Sequence, residues 1–164
     1  MNRMTTLALC MIAVMASVVS AETKNPKMVL VTDFTDQKVK LVGFLDAANI
    51  RHVGPHVVRV WEVVFDAGVF RKLITPKLAI ADLTGELDEK SDSIAVETAL
   101  AMRPTMRSLY EIRCDSDELR LLQVVTDARV DTNGSEWVAI APATTGPQME
   151  SLACKIGTER ASGE

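Results

Sequence analysis

The sequence predicts an α+β fold that is mainly β: an antiparallel sheet of about five to six strands, with a C-terminal helix linked to the sheet by a disulfide. Three observations lead to this prediction. Apolar and polar residues alternate over several short stretches, which is typical of half-buried strands. Residues 145–156 repeat apolar positions at helical spacing instead. Two cysteines, Cys114 and Cys154, remain once an N-terminal leader is removed.

The first 21 residues have the layout of a cleavable secretory signal. Arg3 is the only charge, an apolar stretch runs from about residue 7 to residue 16, and small residues end at Ala21. The apolar stretch is shorter than the roughly 20 residues that cross a bilayer, so we expect cleavage after Ala21 rather than a membrane anchor. Cys10 lies early in this stretch, behind the bulky Leu9, which argues against lipid attachment.

Residues 22–164 are about the length of one domain and can bury a core. We expect a β domain over residues 22–157, a polar tail over 158–164 and no membrane span after cleavage. Losing Arg3 changes the formal net charge from −4 to about −5. An acidic domain without a basic run argues against nucleic acid as a partner and against docking on anionic lipid.

The cysteine count predicts the disulfide. In an oxidising compartment Cys114 and Cys154 have only each other to pair with. Alternation along residues 106–114 places Cys114 on the apolar side of its strand. Arg107, Glu111 and Arg113 point away from that side. A bond across about 40 residues would stabilise the fold by roughly 4 kcal/mol on the chain-entropy model. The alternative is two independent buried thiols.

Three strands are predicted in the first part of the domain, because β-branched residues are frequent in each. They cover residues 28–34, 39–45 and 56–65, with a tight reversal at residues 51–55 before the third. In the third strand Arg59 and Glu62 fall on opposite faces, and we expect Trp61 to be buried.

The pattern weakens over residues 66–104, which we interpret as an insertion. A short strand is predicted over residues 77–83. A helix is predicted from Ser91 or Ser93 to about Met102, because either serine could cap it. Its apolar stripe is modest, so we expect this helix to rest on the surface.

The C-terminal part predicts strands and then a helix. The strands cover residues 106–114, 118–130 and 137–141, with a hairpin loop at 131–135, where Asn133-Gly134 favours positive φ angles. In the helix, Pro147 fits the first turn. An apolar stripe is expected to face the sheet, formed by Met149, Leu152, Ala153 and Ile156.

No residue pattern predicts a metal site or a catalytic site. His52 and His56 flank a turn and have no third ligand nearby, so we interpret them as solvated turn residues. An acidic group lacks the regular spacing of a calcium loop and fits a solvated hairpin end. Its members are Asp115, Asp117 and Glu118, with Asp127 and Asp131 further along. No two carboxylates stand out as a catalytic pair, and no nucleophile motif occurs.

Four segments together resemble the surface-adhesin protein E family. They are residues 44–65 (FLDAANIRHVGPHVVRVWEVVF), 109–114 (LYEIRC), 137–142 (WVAIAP) and 152–154 (LAC). The resemblance implies an exported bacterial domain with an antiparallel sheet and a C-terminal helix tied to it through Cys114 and Cys154, with the family's tryptophans at Trp61 and Trp137. It also implies an adhesin that contacts host extracellular proteins.

We therefore expect a non-catalytic binding domain, periplasmic or at the cell surface, without a cofactor. Its partner would be an envelope protein or a host extracellular protein, bound through sheet edges or long hairpins. The alternative hypothesis is a periplasmic inhibitor or accessory factor of an envelope enzyme such as a lysozyme-type hydrolase. A small hydrolase is a third hypothesis. The sequence leaves a homodimer open.

Overall fold

The computed structural model describes residues 28–32, 34–132, 134–142 and 144–161, with side chains in the last range described up to Thr158. The predicted signal peptide lies outside these residues. The elements in chain order are β1 (Met28–Leu30), β2 (Leu41–Asp46), β3 (Arg51–Gly54), β4 (Val57–Asp66), α1 (Ala67–Leu83), α2 (Leu87–Leu100), β5 (Met106–Arg113), β6 (Glu118–Thr126), β7 (Val130–Asp131), β8 (Val138–Ala139) and α3 (Gly146–Ala161).

The predicted fold class is confirmed. Within the described ranges the chain forms an antiparallel sheet of eight strands, more than the five to six expected, together with three helices. The sheet order is β1-β2-β4-β5-β6-β7. β3 pairs with the start of β4, beside β2, and β8 pairs with the start of β6, beside β7. The long strands β4, β5 and β6 therefore form the centre of the sheet.

The hairpin of α1 and α2 covers one half of one sheet face. Successive side chains of a strand point to opposite faces, and Val63 and Phe65 of β4 point toward the hairpin. Phe70 of α1 packs against Phe44 of β2, with ring centroids 5.8 Å apart. All three phenylalanine side chains are essentially inaccessible to solvent. This cluster is one of two hydrophobic cores formed by the described residues.

The second core lies on the opposite sheet face, under α3. Val58 and Val60 of β4 and Ile112 of β5 pack there against Met149 and Ala153 of α3. The predicted disulfide is confirmed: Cys114, just after β5, is bonded to Cys154 of α3 with the two Cα atoms 5.8 Å apart. The bond therefore holds α3 over this core.

The predictions around β4 were partly wrong. Residues 51–54 form strand β3 instead of a reversal, and the chain turns at Pro55-His56, where His56 adopts a φ of 57°. The predicted long strand is confirmed as β4. Arg59 and Glu62 do lie on opposite faces, as predicted. Trp61 is half-buried rather than buried.

The predictions for residues 66–104 were largely wrong. The strand expected over residues 77–83 is the second half of α1, which begins where the Asp66 side chain accepts a hydrogen bond from the Val69 N–H at 2.8 Å. α2 begins at Leu87, before the serines expected to cap it. It does not simply rest on the surface, because Ala95 and Ala99 are buried in the first core. That the segment is an insertion stays a prediction.

The predicted strand over residues 118–130 is interrupted. β6 ends at Thr126, whose N–H donates to the carbonyl of Arg129 at 2.9 Å and so closes a tight hairpin. β7 and β8 both run antiparallel to β6, so the chain does not reverse between them as the hairpin predicted at 131–135 requires. Asn133 itself lies outside the described residues. α3 continues to Ala161, beyond the end expected near residue 157.

Candidate functional site

One half of a sheet face is not covered by either layer of helices. The first core contains no residue of β5 or β6, and α3 packs on the other face. Beyond Val63, the face of β4 that supports the hairpin continues with Trp61 and Arg59. The residues opposite them in the ladders extend this surface across three strands. We call it the helix-free face, formed by Arg59, Trp61, Leu109, Glu111, Arg113, Glu118 and Arg120.

Glu111 is the centre of the helix-free face. The strand register places Arg59 of β4 directly opposite Glu111 of β5, and Arg120 of β6 directly opposite it on the other side. Arg59 donates from Nε at 3.0 Å and from Nη2 at 2.5 Å to Oε1. Arg120 donates from Nε at 2.9 Å and from Nη2 at 2.6 Å to Oε2. Both oxygens of one carboxylate are therefore held by two arginines.

The exposure of these side chains is unequal. The Glu111 side chain is 4% exposed, whereas Arg59 is 42% and Arg120 is 37% exposed. Burial raises the pKa of Glu111, but the hydrogen bonds from Arg59 and Arg120 outweigh burial and hold the pKa below its usual value. Glu111 is therefore ionised at neutral pH. It orients two guanidinium groups that keep further N–H donors for a ligand.

Trp137 lies over the third guanidinium. The Cζ atom of Arg113 is 4.0 Å from the ring centroid of Trp137, and that of Arg120 is 4.7 Å away. Hydrogen bonds in both directions between Leu121 and Ser135 fasten the segment that carries Trp137 to β6. Guanidinium groups at this distance from an indole ring are attracted by its π electrons. The indole and the two arginines thus form one connected patch.

The helix-free face is positive on an acidic chain. Arg113 pairs with Glu118 at 2.7 Å, so three arginines face two glutamates. Arg51 lies opposite Arg59 in the ladder, and Arg107 lies two residues before Leu109 on the same face of β5; both arginines are exposed. The surrounding charge therefore favours an anionic ligand, although the whole chain has a formal net charge of −4.

The histidines that suggested a metal lie apart from this face. His52 is on β3, on the side of α3, where its ring lies close to Gly157. His56 is in the turn before β4. In the part of the chain that the structure describes, no three His, Cys, Asp or Glu side chains are grouped in a way that could hold a metal ion.

The acidic residues are distributed over separate turns. Asp117, in the turn between β5 and β6, hydrogen-bonds with Glu150 of α3. Burial, and then the neighbouring Asp117 carboxyl, raise the pKa of Glu150. Asp127 pairs with Arg103 at 2.9 Å in an exposed ion pair. Glu118 belongs to the helix-free face, so the five acidic residues do not form one site.

Glu62 is an ionisable group that the sequence did not single out. It lies on the opposite face of β4 from Arg59, close to Gly43 of β2. Burial raises the pKa of Glu62, and a hydrogen bond from Tyr110 partly offsets this effect.

A shallow cleft of about 440 Å³ lies between the end of β1 and the start of α3. None of its lining residues is ionisable: Leu30, Val31, Pro147, Gln148, Ser151 and Leu152.

The triad of Arg59, Glu111 and Arg120 was missed at the sequence level. Alternation did place Arg107, Glu111 and Arg113 on the side of β5 away from the apolar residues, which was the available signal. Which residues of β4 and β6 would meet them depends on strand register.

No helix in the described ranges is long and apolar enough to cross a bilayer. Comparisons of the chain with protein-family models, with curated proteins and with solved structures found no match, so the surface-adhesin protein E resemblance stays a prediction.

Proposed function

We propose that the chain is an exported, non-catalytic binding domain and that its helix-free face docks an acidic segment of a protein partner. One observation carries this proposal: two guanidinium groups are held in place by a single buried carboxylate, beside an indole ring that stacks on a third guanidinium. The positive charge of this face on an acidic chain supports an anionic partner.

Carboxylates suit these donors. A planar guanidinium can bind a carboxylate through two parallel N–H donors. Arg59 and Arg120 each use one edge on Glu111, and no described residue hydrogen-bonds to the other edge. Because the side chains are already ordered by Glu111, less conformational entropy is lost on binding. Arg59 and Arg120 are two strands apart, roughly 10 Å, so a segment with Asp or Glu side chains crossing the strands could reach both.

A protein is a better fit than a nucleic acid. Tryptophan and arginine are among the side chains enriched at protein interfaces, where they contribute much of the binding energy. A nucleic acid would need many phosphate contacts from clustered lysine and arginine. The helix-free face has few cations, and two carboxylates lie among them.

The disulfide supports export, since such bonds form in oxidising compartments. An exported domain would meet either an envelope protein or a host extracellular protein. A host extracellular protein fits the predicted surface-adhesin resemblance. Of the two tryptophans in that resemblance, Trp61 belongs to the helix-free face and Trp137 stacks on it.

The proposal is tested by surface plasmon resonance with the chain lacking its predicted signal. Envelope proteins and extracellular matrix proteins would be passed over the immobilised domain. We expect a partner whose affinity falls at least tenfold in the Trp137→Ala variant. The Arg103→Ala variant, which breaks an exposed ion pair away from this face, should bind like the wild type. Flat responses to every protein, or equal binding by both variants, would contradict the proposal.

The inhibitor hypothesis has support from the same charges. Glycoside hydrolases carry a pair of carboxyl groups in an open cleft, which the arginines of the helix-free face could block. Excess domain would then inhibit lysozyme, and the Arg120→Ala variant would inhibit it less. Full lysozyme activity in the presence of excess domain would exclude this alternative.

A further inference from the structure

Strand β1 ends the sheet, and among the described residues no strand pairs with its outer side. Backbone groups of an antiparallel strand point alternately toward and away from the neighbouring strand. The Val31 N–H donates to the Gly43 carbonyl of β2 at 3.0 Å. The N–H and C=O of Leu30 therefore point away from β2, at the outer edge of the sheet, where none of the described residues hydrogen-bonds to them.

The shallow cleft of about 440 Å³ lies directly beside this edge. Leu30 and Val31 line one side of it, and the other side is lined by residues from the first turns of α3: Pro147, Gln148, Ser151 and Leu152. The Leu30 side chain packs against the first core, on one face of the sheet, whereas the Val31 side chain points toward α3 on the other. Leu30 therefore contributes its backbone to the cleft, and Val31 contributes an apolar side chain.

We propose that an extended peptide segment of a partner protein binds here as an added strand. Its backbone pairs with Leu30, and one of its large apolar side chains enters the cleft beside α3. Successive side chains of a strand point to opposite faces of a sheet, and residues opposite each other in a ladder point to the same face. The peptide residue that pairs with Leu30 thus points toward the face of the first core, and its neighbour points into the cleft. Strand addition at a sheet edge is a recurring mode of peptide recognition.

The surroundings of β1 favour a single strand over a folded domain as the occupant. α3 borders the cleft on one face of the sheet, and Ala95 and Ala99 of α2 pack with Met28 in the first core on the other face. A strand added to β1 would lie between these two helices. A second copy of the chain would bring its own α2 and α3 to this edge, where an extended peptide needs the space of one backbone only.

The opposite edge of the sheet lacks this combination. β7 and β8 pair with the two ends of β6, and between them Ser135 and Leu121 hydrogen-bond in both directions. At three residues, β1 is also too short to template the long pairing that leads to aggregation. The cleft lies on the opposite face of the sheet from the helix-free face, so this proposal is independent of the proposed function.

The first test is a two-dimensional ¹H–¹⁵N NMR titration of the full chain without its predicted signal. The probe is an acetylated heptapeptide amide with a central phenylalanine, then a valine and a threonine on each side, and a lysine at each end. The lysines disfavour binding to the arginines of the helix-free face. We expect saturable shifts of the Leu30 and Val31 amide signals, and at saturation the Leu30 N–H should exchange with solvent at least tenfold more slowly.

Two matched probes separate backbone pairing from insertion of the side chain. Methylation of both valine amide nitrogens removes the donors that would pair with Leu30 and keeps the phenylalanine, and it should weaken binding at least tenfold. Replacing the phenylalanine with alanine should weaken binding as well. No saturable shift at about 1 mM probe (an order-of-magnitude limit for weak binding), or equal binding of the methylated probe, would overturn the proposal.

A second test changes the protein. Ser151→Trp introduces a large side chain into the cleft from an exposed position of α3, and it should weaken binding of the probe at least tenfold. Ser93→Trp, at an exposed serine of α2 that does not line the cleft, should bind like the wild type. So should Trp137→Ala, which separates this site from the helix-free face. Equal binding by Ser151→Trp and the wild type, with unchanged circular dichroism, would overturn the proposal. Dissociation of a wild-type dimer by the probe would assign the edge to a second copy and would also overturn it.

Discussion

Replacing Glu111 with glutamine removes the negative charge that holds Arg59 and Arg120. The glutamine keeps one acceptor oxygen for one arginine and turns an N–H donor toward the other. A charge-assisted hydrogen bond contributes about 1.5 to 3 kcal/mol, and breaking a buried pair costs about 3 to 5 kcal/mol. Both arginines are about 40% exposed, so water compensates part of the loss. We expect the free energy of unfolding to fall by about 2 to 3 kcal/mol.

This loss corresponds to a decrease of about 10 °C in melting temperature for a domain of this size. It should be measured by urea unfolding and by calorimetry at neutral pH. The control is Glu118→Gln, because the Arg113–Glu118 pair joins the same residue types but has a more exposed carboxylate, 32% against 4%. The control should change stability far less, as exposed pairs contribute little. Equal losses in the two variants would refute the central role of Glu111.

The pH dependence provides a further check on the same variant. The pKa of Glu111 is held below its usual 4.5, so its contribution to stability is present above that pH and is lost as pH falls through the folded-state pKa. The difference between wild type and Glu111→Gln should therefore shrink in acid. A difference that stays constant down to about pH 2 would contradict the lowered pKa.

Three other predictions concern the remaining structure. Cys154→Ser should cost about 4 kcal/mol and lower the melting temperature markedly, and an unchanged melting curve would contradict the disulfide's role. Glu62→Gln should stabilise the domain at neutral pH, because the folded-state pKa of Glu62 is raised and the domain loses stability as Glu62 ionises. The gain in free energy of unfolding, measured in urea, should vanish by about pH 4. A gain that persists at that pH would contradict the raised pKa. Phe70→Ala should cost about 3 to 5 kcal/mol in the same assay, whereas Val130→Ala, at a 58% exposed position, should cost little; similar values would show that α1 is not part of the core.

The elements that the sequence predicted well are those with one polar and one apolar side. β5 alternates cleanly, and α3 has a single stripe around Met149 and Ala153 that is buried in the second core. β4 is the exception, because it packs on both faces and was recognised by its frequent β-branched residues. Cys114 could be placed on the core side of its strand for the same reason. The disulfide followed from this placement and from the cysteine count.

α1 was missed because apolar residues lie on both its inner and its outer side, which leaves only a narrow polar side around Thr75. The inner residues, such as Phe70 and Ile74, are buried, and the outer residues, such as Leu73 and Ile80, are exposed, so they do not form the single apolar stripe that is typical of a surface helix.

The candidate site could be predicted only in part. Glu111 and Arg113 were expected to point away from the apolar residues of β5, and they do. Their pairing with Arg59 and Arg120 depends on the order and register of β4, β5 and β6, including an irregularity between Leu109 and Tyr110. These contacts are between residues up to 52 positions apart, and local patterns do not specify them.

The central claim, that the helix-free face binds acidic segments, is tested most directly by tryptophan fluorescence. The chain has two tryptophans, Trp61 on this face and Trp137 stacked on it, so both report on its occupancy. Titration with oligoglutamate at low salt should give a saturable change that oligolysine does not produce and that is lost in the Arg120→Ala variant. An unchanged signal with oligoglutamate, or an equal change in Arg120→Ala, would contradict the claim.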